Sequence, residues 1–576
     1  MRSPYSHFAY VKSDVDIKRS QFMRSNRHLT TMSAGLLYPL LVDEVLPGDT
    51  YSIDMSSLVR MSTPIHPVMD NCFLDTYWFF VPNRIVWEHW KEFMGESPDA
   101  PYVNPIEFSV PKLYARRPIN NINHTVMCKS VLDYMGVPSG TLPKEINALP
   151  LRGFSAIWNE WFRDQNLQDA IYFSKGDADE EYLTNLPVMN PQMYDYKEYT
   201  SVGGPLPPVA KYHDYFTSAL INPQKGPAVP IPLSGMLPVY ASSLVDWSSD
   251  DSPIYGKTTP MKSEYYSDDK ILPLGVNSGG LSVSLESGNE SFEVFDDFIP
   301  SNLVGDLSTV TGLYSTINDL RYAFQLQKFM EADNRGGTRY RELLRQHFSV
   351  VSPDASQQVP EFLGGKRIPI NISQVLQTSS TDDVSPQGNT AAYSLTTDKY
   401  GAFTKSFTEH GFIFCVGCIR TEHTYQNGIE RMWSRFNKFD YYFPEFANIG
   451  EQPIYNREIY NYMPLNDNFD VSAWDKDNEV FGFQEAWADY RYKPNRISGE
   501  FRSTYPQSLD VWHYGDDYEE RPVLSDEWIR ETRSNIDRTL AVNNPNSDQF
   551  ICDFYFKMNT TRVMPVNSIP GLADHH

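Results

Sequence analysis

The sequence predicts a mainly β protein, and three observations carry that prediction. Its 80 aromatics (33 Phe, 36 Tyr, 11 Trp) and 41 prolines among 576 residues suit pleated surfaces and long ordered loops better than helical bundles. Strand-like runs sit near both ends of the chain with helices and long loops between them, which disfavours regular strand–helix alternation and favours a β-sandwich or barrel with large excursions. At 41% hydrophobic and 21% charged, the chain has enough apolar surface for a sizeable core.

Residues 1–28 carry Arg2, Lys12, Lys18, Arg19, Arg24 and Arg27 against Asp14 and Asp16, a local charge of +4 in a chain of −24, which leaves −28 for the rest. With no helical or strand period, this arm reads as an extended segment without a core of its own. Pro47-Gly48-Asp49 then opens a strand in which Tyr51, Ile53, Met55, Val59 and Met61 share one face. The run Phe73–Val81 is almost continuously apolar, as in a strand covered on both sides. Asn83 can cap a short helix through Trp87, Trp90 and Met94 that Gly95 closes.

A second helix is expected at Phe154–Phe162, where Ile157 and Trp161 lie four apart. Residues 233–310 differ in kind: twelve Asp or Glu against three Lys, a local charge of −9, with many Ser and short apolar pieces. They read as an elaborate insertion, since strongly periodic sequence flanks them. Thr316 can then cap a helix with Ile317, Leu320, Ala323, Phe324, Leu326 and Phe329 on one apolar face. Arg335-Gly336-Gly337 ends it, and Thr338 restarts a shorter helix through Leu343 and Leu344. Strands at Gly411–Arg420 and at Phe550–Met558, where Phe550, Cys552, Phe554, Phe556 and Met558 alternate inward, complete the pattern.

The net charge excludes a nucleic-acid reader that uses its whole surface, because phosphate binding needs a basic footprint. Five scattered cysteines are too few for a disulfide framework, and neither an apolar signal stretch nor an eighteen-residue apolar run is present, so neither classical export nor membrane insertion is expected. Cys415-Val416-Gly417-Cys418 lies in a strand, where residues three apart face opposite ways; chelation and disulfide formation are disfavoured despite His410 and His423 nearby. Gly256-Lys257-Thr258 imitates a phosphate loop, but Asp251 stands where its first glycine belongs. Glu160, Glu485 and Asp489, each flanked by aromatics, are the carboxylates a glycosidase would need, though sequence alone cannot pair them. No cofactor or metal is expected.

Several long stretches together resemble the major capsid proteins of gokushoviruses, small icosahedral single-stranded DNA phages of the Microviridae. They include Leu41–Thr50 (LVDEVLPGDT), Arg60–Pro64 (RMSTP), Phe80–Arg84 (FVPNR), Trp90–Glu96 (WKEFMGE), Asn159–Gln168 (NEWFRDQNLQ), Lys211–Leu220 (KYHDYFTSAL), Arg335–Tyr340 (RGGTRY) and Ser568–Leu572 (SIPGL). The resemblance implies an eight-stranded antiparallel jelly-roll barrel with long loops, forming pentamers and a T=1 shell around circular single-stranded DNA, in a virion assembled in the bacterial host cytoplasm. It implies as partners a small basic packaging protein and a host receptor, with scaffolding and minor virion proteins left open.

On this reading 1–28 is a basic arm, 29–232 and 311–576 are the two parts of the capsid domain, and 233–310 is a surface protrusion at the three-fold axes that meets the host. No attachment residue within it is singled out. Lys12, Lys18, Arg19, Arg24 and Arg27 are the candidates to face DNA, with acidic loops more than a Debye length away. A β-rich carbohydrate-active enzyme or lectin, whose surface aromatics stack on sugars, is the competing class.

Overall fold

The computed structural model describes residues 19–96, 107–115, 125–182, 194–230, 317–376, 390–462, 471–542 and 546–567, positions 378 and 544, and short strands between 184 and 305. The chain divides into two compact units, Met1–Lys225 with Glu331–His576, and Gly226–Met330.

Eight strands form the frame of the first unit: β1 (Ser20–Met32), β2 (Tyr38–Val45), β3 (Thr50–Met61), β4 (Cys72–Pro82), β5 (Glu361–Pro369), β6 (Thr396–Ser406), β7 (Gly411–Thr421) and β8 (Phe550–Arg562). They make two four-stranded antiparallel sheets, ordered β1-β8-β3-β6 and β5-β4-β7-β2. The alternation expected in β3 is present: Tyr51, Ile53, Met55, Val59 and Met61 are buried while the residues between them, Ser57 apart, are wetter. β8 repeats it with Phe550, Cys552, Phe554, Phe556 and Met558.

β4 and β7 read as nearly continuous apolar runs because their sheet is covered on both sides. One face meets the other sheet, where Trp78 packs edge-on against Phe403 (5.6 Å between ring centres) and Phe556 (5.8 Å). The other face meets helix α1 (Leu149–Ile157) and the wider turn Trp158–Phe162 that continues it, with Phe79 5.5 Å from Trp161. Gly153 permits this approach, since an added Cβ would lie 3.0 Å from the Phe414 ring. Pro39 is tolerated in β2 because that strand lies at a sheet edge.

Within the second unit, Val239–Ala241 pairs with Leu303–Gly305, and Gly280–Val283, Leu272–Asn277, Pro260–Lys262 and Ile299–Pro300 make a four-stranded antiparallel sheet. No membrane-length apolar helix occurs among the described residues.

Several expectations need correction. The arm is not without strand structure: from Ser20 it is β1, thirteen residues paired to β8. Its sequence lacks an apolar alternation because β1 is an edge strand with much of its length exposed. Asn83 does not cap one helix to Met94; it is the first residue of the single turn Asn83–Val86, whose cap is Pro82, and extended Trp87 separates it from the turn Trp90–Phe93. The helix expected at Phe154 starts five residues earlier, with Pro150 in its first turn, where no backbone donor is lost.

Helix α2 (Ile317–Gly336) ends at the glycine pair, but of its proposed apolar face only Ala323 is buried, and Ile317, Phe324 and Phe329 are exposed. Helix α3 (Tyr340–Phe348) is capped by Arg339, not Thr338; the Glu342 carboxylate accepts the Arg339 backbone N–H at 3.1 Å.

All five cysteines are free, and only Cys128 is exposed. Burial pushes the Cys418 thiol up to about 12 and Cys415 well above its ordinary value. A thiol reagent should therefore label Cys128 alone in the native protein and all five after denaturation; rapid native labelling of a second thiol would contradict the packing of β4, β7 or β8.

Candidate functional site

Lys12 and Lys18 lie outside the described residues. Arg19 is exposed just before β1. Arg24 is already engaged: its guanidinium grips both Asp43 oxygens, at 2.6 and 2.7 Å, tying β1 to β2 across the two sheets. Asp43 also accepts from Tyr51 Oη (3.0 Å), which Arg562 of β8 reaches at 2.6 Å while its Nε lies 3.0 Å from Asp49. Arg27 forks onto Asp553 of the neighbouring strand at 2.6 and 2.8 Å, on the exposed face of the sheet. The arm therefore presents two arginines whose charge is already balanced.

The carboxylates a glycosidase would need are each engaged by an arginine: Glu160 with Arg339 (3.6 Å), Glu485 with Arg491 (2.7 Å) and Asp489 with Arg435. His410 packs beside Trp90, with ring centres 5.5 Å apart. His423 is buried between Asp516 (2.8 Å) and Glu531 (2.9 Å), away from any CxxC chemistry. Among the described residues no cluster of three or more His, Cys, Asp or Glu is disposed to hold a metal ion. Gly256-Lys257-Thr258, like most of 233–310, lies outside the described residues.

Sequence reasoning missed a basic, aromatic groove of about 680 Å³ in the first unit. Its lining holds six cations (Arg431, Arg435, Arg491, Lys493, Arg496, Arg502) against three carboxylates (Glu430, Glu458, Asp489) in a chain of −24. The deep charges cancel, since Arg431 meets Glu458 at 3.3 Å and Arg435 meets Asp489. At the rim Lys493 and Arg496, 64% and 61% exposed, share Glu430, whose carboxyl they hold below its usual range through hydrogen bonds from both.

Rings complete the groove. Tyr215 and Tyr492 stack at 5.3 Å with planes 10° apart to form its floor, and Tyr490 and the 67%-exposed Trp433 stand at its edge. The reason is local. Trp487, at φ 64°, turns the chain sharply and donates Nε1 to the Phe446 carbonyl at 2.9 Å, and residues 492–498 then run without regular structure. Tyr492 turns inward while Arg491 and Lys493 turn outward, so side chains alternate as on an extended chain. The alternation of rings and cations in Tyr490-Arg491-Tyr492-Lys493-Pro494-Asn495-Arg496 was the readable signal. A larger cavity of about 940 Å³, around Lys129, Arg530 and Asp548, has four cations against five carboxylates and lacks this positive excess.

A family model described as capsid protein (F protein) matches residues 9–572. Capsid protein VP1 of Chlamydia phage 1 is 38% identical over 593 residues, covering 96% of this chain and 96% of that protein. Capsid protein VP1 of Bdellovibrio phage phiMH2K is 37% identical over 568 residues, covering 98% and 97%. Capsid protein VP1 of Spiroplasma virus 4 is 37% identical over 560 residues, covering 96% of each.

Proposed function

Because the chain belongs to the capsid protein (F protein) family and matches gokushovirus members along nearly its whole length, we propose that it builds a T=1 icosahedral shell around a circular single-stranded DNA genome. It is a structural capsid protein of the virion, not an enzyme, and family membership sets aside the carbohydrate-active alternative. The full-length match carries this reading.

Strand order supports a jelly roll as its frame. Consecutive strands cross from one four-stranded sheet to the other at every step except β4 to β5, the connectivity of two Greek keys folded together. The apolar face of α2 supports self-assembly: Ile317 and Phe324 are exposed, and such area is what a neighbouring subunit covers. The 233–310 segment is the candidate host-attachment protrusion, and assembly takes place in the host cytoplasm.

The arm is the candidate to meet DNA from the inner surface. Arg24 and Arg27 offer less to phosphate than Lys12, Lys18 and Arg19, since Asp43 and Asp553 already balance them. A small basic packaging protein shares the task. Deleting residues 2–18, which spares β1, should leave uniform particles in electron micrographs but reduce the DNA they hold. Particles with unchanged DNA would remove the arm from the proposal, and a protein that never forms particles would remove the shell.

A further inference from the structure

We propose that the groove between Trp433 and Arg496 binds a stretch of the packaged single strand, with Lys493 and Arg496 on its phosphates and Trp433 and Tyr490 under its bases. This rests on the reading that the shell encloses single-stranded DNA and adds a site on the folded subunit, separate from the arm. Sequence-tolerant binding of a single strand needs two things side by side: cations that follow the backbone, and open ring faces that any base can stack on. The groove has both, with three exposed cations along its rim (Lys493, Arg496 and Arg502) beside Arg491, which Glu485 holds, and two exposed rings, Trp433 and Tyr490.

Its electrostatics fit a polyanion better than a point anion. Glu430 alone answers both Lys493 and Arg496, at 2.8 Å from the latter, so a phosphate that displaces it gains two cations at once. The inner pairs, Arg431 with Glu458 and Arg435 with Asp489, hold the walls while remaining neutral, and Arg435 lies 4.3 Å from the centre of the Tyr490 ring, bracing that ring from one side. Gly428 lets the wall close, since an added Cβ there would overlap the Glu458 carbonyl. The run from Phe436 to Tyr442 extends the exposed aromatic surface beyond the groove, with Phe436 82% exposed.

Ultraviolet crosslinking of purified particles, followed by peptide mass spectrometry, provides the first test. DNA-linked peptides from 431–443 or 488–502 are expected; DNA-filled particles whose crosslinks all fall elsewhere overturn the site. Titrating the full-length protein with oligothymidylate provides the second. Lys493→Ala with Arg496→Ala should weaken binding and flatten the salt dependence by about 1.4 in log–log slope, about 0.7 per lost phosphate contact. Trp433→Ala should weaken binding about tenfold.

Glu430→Gln removes the anion that competes for the same two cations, so binding should tighten, a gain that a misfolded variant cannot imitate. No tightening in Glu430→Gln, or an unchanged slope in the double variant, overturns the proposal, as does a groove that takes soluble polysaccharide in place of oligothymidylate. Particles without any DNA would instead overturn the reading of the shell on which the site depends.

Discussion

Trp78→Ala is expected to cost about 3–5 kcal/mol of subunit stability and to abolish particle formation. Trp78 is fully buried between the sheets, where it touches Phe403 of β6 and Phe556 of β8 and donates Nε1 to Tyr400 Oη at 3.2 Å. Removing it deletes the contacts that join one sheet to the other and leaves a cavity whose walls, both hydrogen-bonded sheets, can hardly collapse. Tyr400 keeps Thr76 as a partner at 2.7 Å, so the loss is mainly one of packing. Urea unfolding of the unassembled protein measures it. A fall below about 1 kcal/mol would mean that the sheets do not meet at this residue.

The second large effect is a pH dependence centred on His423. Burial opposes its charge, but the Asp516 and Glu531 carboxylates outweigh burial and push its pKa up to about 10. Asn535 donates to Asp516 at 2.8 Å, Thr421 donates to Glu531 through its backbone N–H (3.3 Å) and hydroxyl (3.2 Å), and the Lys211 ammonium also acts on Asp516.

Below about pH 6.5 the histidine is charged both folded and unfolded, and its contribution is fully present. As pH rises toward 10 only the folded state keeps the proton, so stability falls by about 1.4 kcal/mol per unit over that window. Asp516 behaves in the opposite sense. Burial, the largest single influence, would raise its carboxyl, yet the His423 and Lys211 charges together with hydrogen bonds from His423 and Asn535 outweigh it and hold the carboxyl below the ordinary range, so its share is lost as acid takes the pH down through about 3.8 and below. Replacing His423 with Gln should cost about 3–5 kcal/mol at pH 6, by leaving two buried carboxylates uncompensated. It should also remove the decline from pH 6.5 to 9. A wild-type protein equally stable at both ends of that range would refute the charged assignment.

The sequence made legible those parts of the fold in which one residue's position decides its environment. β3 and β8 announce themselves by period two, and β4 and β7 by nearly continuous apolar runs that follow from cover on both faces. β1 was hidden because an edge strand needs no apolar face; its pairing with β8 comes from residues more than five hundred positions away. The apolar face expected of α2 is buried only at Ala323, and a pattern does not say whether the subunit itself covers it. Of the candidate DNA contacts, Arg24 and Arg27 were legible as charges, whereas their partners Asp43 and Asp553 became neighbours only through strand pairing. The groove was missed because Trp433 belongs to a single 3-10 turn, Arg431–Ser434, and Arg496 to a loop, neither of which sequence periodicity describes.

The position of β8 has a consequence for when the subunit can exist at all. The strand latest in the sequence among the described residues is not at the margin of its sheet but lies between β1 and β3, with ladder partners on both sides along its length. A nascent chain that has emerged as far as β7 holds two strands that lack their common neighbour, and their apolar faces have no completed sheet to join. A chain that stops short of β8 lacks an inner strand of this sheet and leaves β1 without its ladder partner, so the order of synthesis makes this strand a precondition for closing the frame.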